Sequence, residues 1–218
     1  MEKKTSAVDY ADFAEYDRRQ RGIERHVLTA FLGGLVVGLL GMLVSDKGPV
    51  LLWDLYDPYV YLALSIALGA TSAGFGWALL TTFLATVSSL VAAMGGSALQ
   101  GEFNIDVVGG GPAGMNVLLV LVVGLGMLGY LTRRDDIWGD LAAGGIGGIL
   151  LADVVDRSTP GFIDSEITFW PGPALTIGLL TVAAVVALRR TTKGRLRALA
   201  ATAVLAGALA LLVLRAVS

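Results

Sequence analysis

Cysteine is missing from this 218-residue chain, and its absence excludes disulfides, thiol catalysis, iron–sulfur clusters and cysteine zinc sites together. Histidine occurs once, at His26, so neither a multi-histidine metal centre nor a bis-histidine haem can form. A nucleophile–histidine–acid triad would have to draw on that single ring. Charge is also scarce. Only 16% of residues are Asp, Glu, Lys or Arg, against roughly a quarter in a soluble domain. With a net charge of −2, nothing favours a nucleic-acid partner. No metal or cofactor is expected.

Apolar residues are plentiful instead. They make up 55% of the chain, mean hydropathy is +0.73, and they lie in long blocks, which is the signature of a polytopic membrane protein. The first 26 residues are polar and alternate in charge. They lack the basic start, short apolar stretch and small-residue site of a cleaved signal peptide, so they read as a cytoplasmic tail. Residues 27–218 read as an all-α transmembrane bundle.

Seven blocks read as spans: Val27–Val44, Pro58–Gly74, Trp77–Gly96, Gly114–Thr132, Ile137–Val155, Gly172–Arg189 and Leu196–Arg215. Several are near the lower limit of the ~17–25 residues a bilayer core needs. The stretch Tyr59–Met94 has no charged break. As one helix it would be about 54 Å long, against a ~30 Å core. It is therefore divided within Gly69–Gly76, with a single steeply tilted helix, and six spans in all, as the alternative. Charge placement favours the division, because it gathers Lys3, Lys4, Arg18, Arg19, Arg21 and Arg25, then Arg133 and Arg134, then Arg189–Arg197, on one side. By the positive-inside bias that side is the cytoplasm. The N-terminus is then inside and the C-terminus outside, in a cell (plasma) membrane. The outer side receives Asp46, Asp54, Asp57, Glu102, Asp106, Asp153, Asp156, Asp164 and Glu166.

Two patterns invite stronger readings. Leu35-Val-Val-Gly-Leu-Leu-Gly-Met-Leu43 is echoed by Leu121-Val-Val-Gly-Leu-Gly-Met-Leu128, which would fit a 3+3 inverted repeat with one further helix. Chance matching of two Leu/Val/Gly-rich segments is the simpler account. The glycines 109, 111 and 114 form a G-x-G-x-x-G that resembles the flavin-binding fingerprint of flavoprotein oxidoreductases. That fingerprint needs a strand before it and an amphipathic helix after it, whereas Val117–Leu128 is apolar all round. Gly124-Leu-Gly-Met-Leu-Gly129 matches the same pattern inside a span, so the pattern arises cheaply here. No nucleotide binding is expected.

Glycine inside the spans carries more meaning. Gly34, Gly38 and Gly41, and then Gly144, Gly145, Gly147 and Gly148, suit close helix packing, which small residues permit in lipid. The alternative is that such glycines mark hinges beside a substrate path. Thr82, Thr86 and Ser89 recur at i, i+4 and i+7 on one helix face, either bonding within the bundle or lining a wet path. Asp140 near the start of the fifth span, and Asp153 and Asp156 near its end, are the candidate ion-binding carboxylates. Their bland reading is solvated interface residues. No Lys, Arg or Glu falls at mid-span, which weighs against a proton pump or coupled antiporter. Tyr10, Phe13 and Tyr16 fit a short amphipathic helix on the inner leaflet or against a partner, with an unstructured tail as the alternative.

An enzyme is not expected, for want of a reactive centre. The expectation is a non-catalytic subunit that lies in the lipid bilayer and joins partner membrane proteins, or copies of itself, through glycine-rich faces and its N-terminal helix. The alternative is a small transporter or channel with a path between two three-helix halves.

Overall fold

The computed structural model describes residues 10–99, 111–160, 162 and 166–217. Among them the chain is entirely helical, with no strand. The helices are α1 (Tyr10–Lys47), α2 (Val50–Tyr56), α3 (Tyr59–Thr71), α4 (Phe75–Leu99), α5 (Gly111–Leu131), α6 (Ile137–Ser158), α7 (Gly172–Ala187) and α8 (Thr192–Val217), with a 3-10 turn at Ile167–Phe169 before α7. Each expected apolar block falls on one helix. α1, α4, α6 and α8 are long and apolar enough to cross a bilayer, and the chain is a membrane protein.

The stretch Tyr59–Met94 is a hairpin and not one tilted helix: Ser72, Ala73 and Gly74 separate α3 from α4, and the two helices pack together. The Ser72 hydroxyl donates to the Leu68 carbonyl at 2.6 Å, satisfying an acceptor that the helix end would otherwise leave open. α3 has 13 residues, about 20 Å of rise, less than a full crossing. The short α2 before it, Val50–Tyr56, lies outside the seven expected blocks.

Packing follows the glycines. A Cβ placed on Gly34 would strike the Ala85 carbonyl and the Ser88 hydroxyl, and one on Gly38 the Ser89 carbonyl and the Ala92 side chain. This is the seam between α1 and α4. In the seam between α6 and α8, Gly144 meets Ala198 and Ala201, Gly147 meets Thr202, and Gly148 meets Leu205. Gly41 accommodates Tyr61 and Tyr56, whereas Gly145 makes only an ordinary contact with Leu128 at 3.5 Å. α3 and α5 approach through Gly69 against the Gly126 carbonyl and Gly129 against the Ile66 carbonyl. The largest apolar core lies where four helices meet: Tyr59 and Leu62 of α3, Val122 and Leu125 of α5, Ile146 and Leu150 of α6, and Ile177 of α7 with Phe169 beside it.

These seams do not follow the inverted pairing of spans one to three with four to six. That pairing would make α5 pack on α7 as α1 packs on α4. Instead α5 lies against α3, α4 and α6, and has no extended contact with α7. The echo between Leu35–Leu43 and Leu121–Leu128 thus joins two helices with different packing roles.

Candidate functional site

The three aspartates proposed for a path all lie on α6, at its two ends. Asp140 occupies the first turn and is buried, at 4% exposure. Its Oδ1 is 2.6 Å from Arg189 Nη2, and its Oδ2 is 3.6 Å from Arg197 Nη1. The shorter approach is a close charge contact without hydrogen-bond alignment. Arg189 Nη1 also donates to the Thr132 and Arg134 carbonyls, both at 2.8 Å. Arg189 comes from just beyond α7, Arg197 from α8, and the carbonyls from the α5–α6 turn. One carboxylate and one guanidinium therefore hold four chain segments together.

The other end of α6 is built around Arg157. Its guanidinium lies 5.9 Å from the Tyr59 ring centroid and 5.6 Å from that of Phe169; the two rings stack 6.4 Å apart. Nε is 3.5 Å from Asp153 and Nη1 is 3.6 Å from Glu166. Tyr59 donates its hydroxyl proton to Asp153, so Asp153 is a held group and not a freely solvated one. Asp156, one turn further along, is half-buried. Burial pushes the neighbouring Asp57 carboxyl above the usual range, Arg157 pulls it back, and the charges of Asp153 and Glu166 push it up again. Asp54, on α2, is buried, and its Oδ2 has no hydrogen-bond partner among the described residues.

The hydroxyl face of α4 is buried, and its side chains return their protons to their own helix. Thr82 donates to the Ala78 carbonyl at 2.7 Å, Thr86 to Thr82 at 2.8 Å, and Ser89 to Thr86 at 2.8 Å. Thr81 and Ser88 do the same toward Trp77 and Ala85. Such bonds satisfy the hydroxyl without water. Thr82 abuts Gly126, and Ser88 and Ser89 abut Gly34 and Gly38.

At the α5–α6 turn Asp136 caps α6, accepting from the Gly139 amide at 3.2 Å. Hydrogen bonding from Arg134, whose Nη2 lies 2.6 Å away, holds the Asp136 carboxyl below its ordinary range. Gly109 of the fingerprint-like loop lies outside the described residues, while Gly111 and Gly114 belong to the first turn of α5. Tyr10 and Phe13 fall on α1, whose side chains are described from Glu15 onward. Among the described residues no three His, Asp or Glu side chains gather in a way that could hold a metal ion.

Sequence reasoning missed Arg189 as the partner of Asp140, and it missed the Tyr59–Arg157–Phe169 stack. An unpaired aspartate inside an apolar block was the available signal for the first. Nothing local announced the second, because Tyr59 is about a hundred positions from both Arg157 and Phe169. No known protein family, curated protein or solved structure matches this chain.

Proposed function

We propose that the chain is a non-catalytic membrane subunit that assembles with partner membrane proteins, with seven spans, the N-terminus in the cytoplasm and the C-terminus outside. One observation carries this reading. α1 runs unbroken for 38 residues, about 57 Å, so it outreaches a ~30 Å core by several turns. The surplus is the polar stretch from Tyr10 to Arg25, largely exposed where its side chains are described. Because no break separates it from the apolar part, it continues the first span as a stalk and does not turn to lie along the bilayer. A charged helix projecting from the membrane is a handle for assembly. The hydroxyls of α4 and the charges at both ends of α6 are already engaged in packing, which leaves little to line a path.

Affinity purification from native membranes, followed by mass spectrometry, tests this reading. A partner in stoichiometric amount is the expected result, and a lone oligomer overturns it. Reporter fusions at Gln100 and Ser218 should both read as external.

A second reading, a small transporter or channel, is favoured by the likeness of the two main seams. Gly34 and Gly38 of α1 meet Ala85, Ser88 and Ala92 of α4, while Gly144 and Gly148 of α6 meet Ala198, Ala201 and Leu205 of α8. Both glycine pairs are spaced i, i+4, and both partner sets i, i+3, i+7. That correspondence relates spans one to three to spans five to seven in parallel, with α5 between them. Paired units of this kind frame translocation paths in several transporter folds.

A further inference from the structure

Where the stalk of α1 meets the α3–α4 break, Arg19, Gly22, Ile23 and His26 of α1 face Thr71, Ala73 and Trp77 across a cavity of 260 Å³. His26 Nε2 lies 3.2 Å from the Ser72 hydroxyl, which anchors one edge of the ring at the break and leaves Nδ1 as its second polar atom. The Arg19 guanidinium and the Trp77 indole N–H have no hydrogen bond or ion pair among the described residues. The lining thus offers a guanidinium and an indole N–H, both strong donors, together with an imidazole. Among the described residues no carboxylate lines it. α4 starts at the cavity's edge, its first chain-internal bond running from the Ala78 amide to the Gly74 carbonyl. The positive end of that helix therefore adds to the cationic lining. Arg133, which donates to the Ser72 carbonyl on the far side of the break, adds further positive charge nearby.

We propose that this cavity binds the phosphate of an anionic phospholipid from the leaflet on the side of the N-terminus. The donor set and the lack of carboxylates select an anion, and Arg and Trp are suited to a phosphate oxygen. Position selects a lipid. Trp77 opens the apolar part of α4 at the depth where aromatic belts lie. Leu80, one turn deeper on the same helix face, is exposed, as are Leu28 and Leu32 of α1, so acyl chains have apolar surface to follow. Basic pockets between helices are a recurrent form of headgroup recognition. The inference needs the chain to be a membrane protein, but it depends on neither the subunit nor the transport reading.

The full chain in detergent, titrated with short-chain phosphatidylglycerol and observed by native mass spectrometry, tests the site. The wild type should retain this lipid in preference to phosphatidylcholine of the same chain length. Arg19→Gln should weaken retention about fivefold, corresponding to ~1 kcal/mol for one basic residue at a membrane surface. Trp77→Phe, which keeps the ring and removes the N–H, should weaken it about twofold. Arg190→Gln, which removes an exposed charge beyond α7, is the control and should leave retention unchanged. If Arg19→Gln and Trp77→Phe both retain the lipid as the wild type does, the site does not exist. Equal losses in Arg19→Gln and Arg190→Gln would mean diffuse attraction, and saturable binding of inorganic phosphate that Arg19→Gln abolishes would mean a soluble anion; either result overturns the lipid assignment.

Discussion

The two ends of α6 solve one problem in opposite ways. At the start of the helix a single carboxylate, Asp140, is buried between two arginines. At its end a single arginine, Arg157, lies among acidic side chains and aromatic rings, partly open to the surface. A buried charge stripped of its partner cannot be rescued by water, whereas an interfacial one can be rehydrated. The first end should therefore behave as a keystone and the second as an adjustable clasp, although their contact geometries look equally elaborate. Between them Gly144, Gly147 and Gly148 set how closely α8 approaches.

The contrast breaks most directly at Asp140. Asp140→Asn leaves Arg189 buried without a counter-charge and should cost about 3–5 kcal/mol. A large fall in melting temperature in detergent, or failure to accumulate, is the expected readout; a near-normal melting curve would show that Arg189 finds water. In the middle of the helix, Gly147→Ala places a methyl group against Thr202 and Val185 and should cost about 1–3 kcal/mol through overpacking. Gly145→Ala meets only Leu128 at ordinary distance and should be neutral. Equal behaviour of the two variants in the same melting assay would remove the packing argument for this seam.

At the clasp, Arg157→Gln loses two loose ion pairs and two ring contacts and should cost about 1–2 kcal/mol, clearly less than Asp140→Asn. The smallest effect is expected at Asp136, which is exposed. Its carboxyl is held below the ordinary value of about 4, so its stabilisation is complete above that value and disappears as the pH falls through the lowered one. Melting temperatures of the wild type and Asp136→Asn should differ slightly at pH 7 and converge under strongly acidic conditions. A difference that persists there would mean that the cap acts without its charge.

Much of the helical outline was legible in the sequence, because the apolar blocks are long and the charges between them are sharp. Gly69–Gly76 indicated the hairpin correctly for a length reason: an unbroken apolar helix over Tyr59–Met94 would be about 54 Å long against a ~30 Å core. The glycine seams were legible as a tendency, since Gly34–Gly38 and Gly144–Gly148 have the spacing of a helix face. Their partners were not, because Ala85, Ser88, Ala198 and Ala201 carry no signal beyond being small. The hydroxyl face of α4 was ambiguous for a physical reason, as Thr82, Thr86 and Ser89 would be spaced alike whether they bonded to their own carbonyls or to water. The charged ties were least legible. Asp140 and Arg189, or Tyr59 and Arg157, pair across long stretches of chain, and only the tertiary fold brings them together.

Cation flux through the purified protein separates the subunit reading from transport without knowledge of the partner. Purified protein reconstituted in liposomes should pass no Na⁺, K⁺ or H⁺ above protein-free vesicles, and Asp153→Asn with Asp156→Asn should change nothing. A cation flux in the wild type that the double substitution abolishes would overturn the subunit reading and move the chain into the transporter class.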